Sequence, residues 1–197
     1  MALLITFIIL GLFIISQIYI SMATSKSALQ PYKVIHTEKE FEIRFYPVST
    51  LATVTSSAKT YKELGSWGFR KLAEYIFGGN SSKINISMTA PVHMNINDTA
   101  STMSFVMPVE YNESNLPKPN DSTIKIETSK PEYVAVIEFG GFASNELIHK
   151  HIEILSTNLK KKIIISLGNY RFLGYNPPYQ LFGRLNEVIV TVDWNTK

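Results

Sequence analysis

The sequence predicts an α+β domain made of two strand–strand–helix–strand–strand halves. Three observations carry this. Short segments rich in β-branched residues alternate apolar and polar side chains, as half-buried strands do. Two longer stretches repeat apolar residues every three or four positions, as amphipathic helices do. The second half also repeats the first: Thr50–Phe77 aligns with Tyr133–Lys160 at a shift of about 83 residues, strand over strand and helix over helix. Such a duplication implies two strand–helix layers related by a pseudo-twofold. The strands would form one curved antiparallel sheet or open barrel with two helices against it, and a groove between helix and sheet would be a natural small-molecule site.

In chain order, Phe41-Glu-Ile-Arg-Phe-Tyr reads as a strand broken by Pro47, and Thr50-Leu-Ala-Thr-Val-Thr as its successor. From about Thr60 to Phe77, Tyr61, Leu64, Gly68, Leu72 and Ile76 form a helical stripe that Gly78-Gly79 terminates. Gly65 and Gly68 weaken that helix by about 1 kcal/mol each relative to alanine, which points to close approach by a packed strand or a flat ligand. Lys83 to Ile96 alternates again, with Pro91 marking an edge or bulge. Thr102-Met-Ser-Phe-Val-Met-Pro is a strand and Leu116-Pro-Lys-Pro-Asn-Asp a loop. The second half follows: Thr123-Ile-Lys-Ile-Glu, then Tyr133-Val-Ala-Val-Ile-Glu-Phe, the Gly140-Gly141 turn, and a helix capped by Ser144 or Asn145 and running to about Lys161. Strands at Tyr170-Arg-Phe-Leu-Gly-Tyr and Glu187-Val-Ile-Val-Thr-Val close the pattern.

The first 23 residues stand apart. Ala2 to Ala23 carries no charge, and Gln17 is its only strongly polar interruption. That length suits a bilayer core and exceeds a usual signal-peptide core, and no basic residue precedes it. It reads as a single-pass N-terminal membrane anchor. Ser21-Met22-Ala23 keeps open a cleavage site and hence secretion. Lys26, Lys33 and Lys39 follow the segment and favour a cytoplasmic domain, whereas five N-x-S/T sequons, at Asn80, Asn85, Asn97, Asn112 and Asn120, favour the other side. The organisation is therefore residues 1–23 as anchor or signal, 24–31 as a polar linker, and 32–193 as the domain.

Composition narrows the chemistry. The 197 residues carry 19 basic and 16 acidic side chains, a net charge of +3 too balanced for a nucleic-acid footprint. The basic run Lys160-Lys161-Lys162 is a solvated helix end. With no cysteine there is no disulfide, thiolate ligand or thiol nucleophile. His149 and His151, two apart on a helix, point to different sides and cannot share a metal. His36 lies near the linker, and His93 follows Thr89-Ala-Pro-Val as the strongest of the four candidates for a ligand. The carboxylates Glu38, Glu40, Glu42, Glu63, Glu74, Glu138 and Glu187 are scattered, with no spacing that pairs two for acid–base work. No nucleophile elbow, P-loop or dinucleotide fingerprint occurs. Gly78-Gly79 before Asn80 is a helix stop rather than a phosphate cradle. No catalytic constellation emerges.

Flat-ligand chemistry is what remains. The chain has 11 Phe, 10 Tyr and 2 Trp. Trp67 and Phe69 sit on the first helix, and Tyr170, Phe172, Tyr175, Tyr179 and Phe182 crowd the segment before the last strand. Aromatic and aliphatic walls suit a porphyrin face, and cations suit its propionates. Arg70, Lys71, Arg171 and Arg184 are candidates for those cations; core packing and solvated arginines are the plain alternative.

Four segments, in order, resemble the SOUL heme-binding protein family. They are Phe41-Glu-Ile-Arg-Phe-Tyr; Trp67-Gly-Phe-Arg-Lys-Leu-Ala-Glu-Tyr-Ile-Phe-Gly-Gly-Asn; Ile86-Ser-Met-Thr-Ala-Pro-Val; and Gly174-Tyr-Asn-Pro-Pro-Tyr-Gln-Leu-Phe-Gly-Arg-Leu-Asn-Glu-Val. The resemblance spans about Tyr32 to Val192. It implies a distorted antiparallel β-barrel flanked by two helices, and non-covalent binding of heme or metal-free porphyrin in a shallow apolar cleft. Carried onto this chain, the cleft involves Trp67, Arg70, Lys71 and Tyr75 on the first helix, with Tyr175, Pro177, Pro178 and Arg184 opposite. Some members carry an axial histidine directly after Glu-Ile-Arg; here that residue is Phe45, so no axial ligand comes from that strand. The expected function is that of a non-catalytic, membrane-tethered tetrapyrrole carrier or buffer. A sensing or protein-interaction module using the same cleft for another apolar effector is the alternative.

Overall fold

A computed structural model describes residues 1–25 and 27–194; Lys26, invoked above for orientation, lies outside them. The chain runs α1 (Ala2–Ser25), β1 (Ala28–Leu29), β2 (Lys33–Thr37), β3 (Glu42–Tyr46), β4 (Thr50–Ser56), α2 (Tyr61–Ile76), β5 (Thr89–Ala90), β6 (Val92–Asn95), β7 (Ser101–Val106), β8 (Ile124–Thr128), β9 (Glu132–Gly140), α3 (Asn145–Lys161), β10 (Ser166–Gly174) and β11 (Leu185–Val192). Nine strands form one sheet in the order β2-β3-β9-β11-β10-β6-β7-β4-β8. All its pairings are antiparallel. The class is the expected α+β. The sheet is distorted but open, with β2 and β8 as its edges, rather than closed into a barrel.

The duplication is visible in the strand order, which reads the same outward from the β6–β10 pair. There Leu173 faces His93, close to the pseudo-twofold. The first strand of each half has crossed to the other half. Ile43 of β3 pairs with Ala135 of β9, while Ile126 of β8 pairs with Ala52 of β4. These are the same two positions of the repeat, 83 residues apart, exchanged reciprocally.

Both helices lie on one face. Val188, Val190 and Val192 of β11 meet α3 through Ile148, Leu155 and Leu159. Val54, Met103 and Phe105 meet α2 through Leu64, Leu72 and Ile76. Each such fully buried aliphatic side chain contributes roughly 1.5–3 kcal/mol. The intervening strand positions point the other way, where Tyr46, Val134, Val136, Leu173 and Ile189 gather.

The helix ends follow local rules. Thr60 and Ser144 accept from the backbone N–H three residues on, at 3.2 Å each. At the other end, the N–H of Gly79 donates to Glu74 O and that of Ile164 to Leu159 O, the same six-residue closure at both helices. Gly78 supplies the left-handed residue for α2, at φ 103°, but α3 uses Ile163 at φ 57°. The glycine inside α2 has a packing reason. A Cβ on Gly68 would lie 3.0–3.4 Å from the Met103 side chain, so the close partner is the strand β7.

Other details differ from the sequence reading. Residues 83–88 form no strand beyond an isolated bridge from Asn85 to Phe77, and the amide of buried Asn80 organises the segment. Its Nδ2 donates to Tyr75 O and Ile84 O, and its Oδ1 accepts from Ile84 N. The Asn80 sequon is therefore committed to the fold. Pro91 separates β5 from β6, as a break should, and β5 leaves to pair with β1. Ala28–Leu29 and Lys33–Thr37 are strands where no strand pattern is legible. Leu3–Met22 of α1 is apolar and long enough to cross a membrane, with mean hydropathy 2.5.

Candidate functional site

The residues expected to form one cleft fall into two groups. Trp67, Lys71 and Tyr75 share a stripe of α2 at four-residue spacing, with Arg70 exposed beside it. Trp67 is half-buried against the α2 core. The Lys71 ammonium lies 5.4 Å from its ring centroid, within cation–π range. Lys71 also ion-pairs with Asp121 in the β7–β8 loop. The hydrogen bond from Lys71, with those from Thr123, holds the Asp121 carboxyl down to about 2. Tyr75 is a core residue, 1% exposed, and its hydroxyl donates to Pro117 O at 3.0 Å. Burial pushes that hydroxyl up to about 12, and the ring does not reach the surface.

Tyr175, Pro177, Pro178 and Arg184 belong to the β10–β11 loop. Tyr175 packs with Tyr46 and Leu173, on the sheet face opposite the helices. The structure thus gathers the second group at this loop and the first along α2, the two set against different cores on different faces. Arg184 is a clamp for its own loop. Its Nη1 donates to Pro177 O and Gln180 O, both at 2.7 Å, and its Nη2 to Asn176 O at 3.4 Å. Its guanidinium carbon sits 4.5 Å over the Phe142 ring, and burial lowers its pKa. Pro178, Tyr179, Leu181 and Phe182 are exposed at the tip.

Behind that loop lies a recess of about 330 Å³, lined by Tyr32, Tyr175, Glu138, Glu187 and Gln180 and edged by Ser21 and Thr24 of α1. Its floor corrects the picture of scattered carboxylates. Arg44, 2% exposed, donates to Glu42, Glu138 and Glu187, each at 2.7 Å. The guanidinium also covers the Tyr32 ring at 4.3 Å. Burial opposes the Arg44 charge, but Glu187 and the three hydrogen bonds outweigh it and raise its pKa. Burial pushes the Glu187 carboxyl up, and Arg44 and the Tyr175 hydroxyl, 2.8 Å from Oε2, pull it back. Nothing in the spacing of Glu42, Glu138 and Glu187 signals this convergence, because three different strands deliver it. A second groove, about 280 Å³, runs between α1 and the loop tip and is lined by Ile14, Gln17, Ile18, Ser21, Met22 and Phe182.

The histidines are dispersed. His93 Nε2 lies 2.7 Å from Gln30 Oε1. Enclosure and the nearby Arg171 disfavour its imidazolium, lowering its pKa to about 3. His36 pairs with Glu38, and His151 stacks on Phe139 at 4.1 Å. Phe45, which follows Glu-Ile-Arg on β3, packs on Tyr133 at 5.1 Å. Among the described residues no group of three or more His, Asp or Glu side chains is placed to hold a metal ion.

Comparison with known proteins agrees with this architecture. The family model described as SOUL heme-binding protein matches residues 28–191. Heme-binding protein 1 of Xenopus laevis is 31% identical over 155 residues, covering 75% of this chain and 81% of its own length. Heme-binding protein 2 of Homo sapiens is 29% identical over 156 residues, covering 75% and 76%. Among solved structures, the EcmrR C-terminal domain superposes with a TM-score of 0.61 at 7% identity, over 83% of this chain and 99% of that one. A hydrolase from Listeria innocua gives 0.57 at 10%, over 81% and 94%; at such identities these two likenesses concern the fold alone. With the family model covering nearly the whole sheet-forming part, and two heme-binding proteins aligned along it, this chain belongs to the SOUL heme-binding protein family.

Proposed function

We propose that this protein binds a tetrapyrrole, heme or metal-free porphyrin, non-covalently and without catalysis, as a membrane-tethered carrier or buffer. The observation that carries the reading is the family match from residue 28 to 191. Trp67 with Lys71 above it and Arg70 beside it supports it. A flat aromatic face beside the exposed cation of Arg70, with Lys71 shared between that face and Asp121, suits a macrocycle carrying propionates. The Glu138 and Glu187 recess is the poorer host, since its carboxylates would repel propionates. Pro177, Pro178 and Tyr175 offer an apolar shoulder at the loop, whereas Arg184 is spent on loop carbonyls. With His93 bonded to Gln30 and Phe45 packed on Tyr133, binding rests on packing and propionate contacts. Metal-free porphyrin would then be accepted as well as heme. The apolar span Leu3–Met22 supports tethering.

A second reading, a module sensing another effector, is favoured by that same recess, whose lining suits a ligand without negative charge. Titration of the full chain in detergent with hemin and with protoporphyrin separates the two. The readouts are Soret absorbance and the fluorescence of Trp67, isolated by Trp194→Phe. Saturable one-to-one binding of both, quenching Trp67, supports the carrier. Hemin alone with a low-spin spectrum reveals an axial ligand. Saturable binding of neither moves the assignment to the effector module.

A further inference from the structure

We propose that the β10–β11 loop is a second membrane contact: its tip, Tyr179 to Phe182, enters the same lipid bilayer that α1 spans. The inference rests on the reading of α1 as a retained anchor and adds what that reading leaves open, namely where the domain sits relative to the bilayer.

Three observations support it independently. The first is attachment. Gln17, the only amide side chain in the apolar segment, accepts from the backbone N–H of Leu181 at 3.0 Å. The ring of Phe182 shares a groove with Ile14, Ile18 and Met22 on the flank of α1. Gln17 stands five residues inside the end of the span at Met22, about 7.5 Å along the helix at 1.5 Å per residue. A span of 20 residues matches the thickness of the hydrocarbon core. A loop fastened at that level cannot remain in bulk water while α1 crosses the bilayer.

The second is composition. Tyr179, Leu181 and Phe182 are exposed, Phe182 by 69%, and Phe142 stands beside them under the Arg184 guanidinium. Aromatic rings with an arginine form the usual interfacial belt. Ile163, exposed by 87%, shows that a bare apolar side chain occurs elsewhere on the surface. Ile165 and Leu167 are exposed near it, so what is particular to the loop is its continuity with α1 through Phe182.

The third is backbone accounting. A loop entering lipid must satisfy its own polar groups. Pro177 and Pro178 have no N–H to satisfy. Arg184 serves the carbonyls of Asn176, Pro177 and Gln180, and the Gln180 amide serves those of Phe182 and Gly183. The N–H of Gln180 donates to Pro177 O, that of Leu185 to the Asn176 side chain, and that of Leu181 to Gln17. Two buried side-chain atoms of the loop, Gln180 Oε1 and Arg184 Nε, are left without a partner.

The absence of cysteine from the sequence allows single labelling. Full-length Phe182→Cys, Tyr179→Cys and Ile163→Cys, each carrying one environment-sensitive fluorophore, are reconstituted with phosphatidylcholine vesicles and floated. Ile163 lies at the opposite end of β10 from the loop and is the matched apolar control. The expected result is blue-shifted emission at 179 and 182 that nitroxide-bearing lipids quench severalfold, with emission at 163 unchanged from water. Floating chains whose 182 label emits as in water would overturn the loop contact and leave the anchor standing. Equal quenching at all three positions would overturn it in favour of general adsorption. Chains that fail to float would overturn the anchor and this inference together.

Discussion

Arg44 and Glu187 meet at 2.7 Å with side chains 2% and 1% exposed, although 143 residues separate them. Their contact spans β9 and ties the exchanged strand β3 to the last strand β11. Removing one partner of a buried pair leaves an uncompensated charge, at a cost of about 3–5 kcal/mol. Arg44→Ala and Glu187→Ala should each lose that much in urea unfolding. Glu138→Ala, whose side chain is half exposed, should cost less than about 1 kcal/mol. Equal losses at Glu138 and Glu187 would contradict the role of burial.

His93 should make the fold acid-sensitive. Its pKa falls from 6.5 to about 3 on folding. Above pH 6.5 the imidazole is neutral in both states and costs nothing. Below it the unfolded chain takes up a proton that the folded chain resists until about pH 3, so stability is lost across that window at up to about 1.4 kcal/mol per pH unit. Between pH 7 and pH 5 the protein should lose about 2 kcal/mol more than His93→Gln, read from urea midpoints.

Ile163 holds a left-handed conformation that a β-branched side chain adopts at a cost of about 1–2 kcal/mol. Its side chain is exposed, so little packing offsets that. Ile163→Gly should raise stability by about 1 kcal/mol, measured by thermal unfolding. Gly78→Ala, at φ 103° in the equivalent cap of α2, should lower it by a similar amount.

For ligand binding, Trp67→Ala should weaken porphyrin affinity about tenfold, the order expected for loss of one stacked aromatic face. Arg70→Ala with Lys71→Ala should weaken hemin by a few-fold and flatten its salt dependence. Circular dichroism should remain unchanged in both, since Arg70 is exposed and Trp67 lies at the margin of its core. Unaltered affinity in both variants would move the ligand away from α2.

What the sequence disclosed were the features that repeat locally. The α2 stripe, a helix cap at Ser144 or Asn145 and the apolar run of β9 are each visible within a dozen residues. The 83-residue shift found the equivalent positions Ala52 and Ala135. The sequence did not disclose which strand crosses to which half. Ile43 faces Ala135 rather than a strand of its own half, and alternation gives the same signal for either partner. The site was legible only by residue type. Lys71 carries a cation, as expected, but its partner Asp121 lies 50 residues away with no motif around it. Arg184 has the right charge for a propionate, yet loop carbonyls consume it, a use that no spacing announces. Gln17 reads as a polar interruption of an apolar run, and its side chain accepts from the backbone N–H of Leu181.

The reciprocal pairing of Ile43 with Ala135 and of Ile126 with Ala52 bears on the origin of the fold. One repeat alone, from β3 to β7, would carry an outer strand with nowhere on its own sheet to lie, and an edge at β4 left bare. Two free copies would cure both defects only by lending each other that strand, giving a symmetric homodimer. Joining the copies head to tail turns the loan into an intramolecular one, independent of protein concentration. The two sides of the fused molecule were then free to diverge. They differ at this place: residues 96–100 join β6 to β7, whereas 175–184 join β10 to β11 as the loop with Phe182 at its tip.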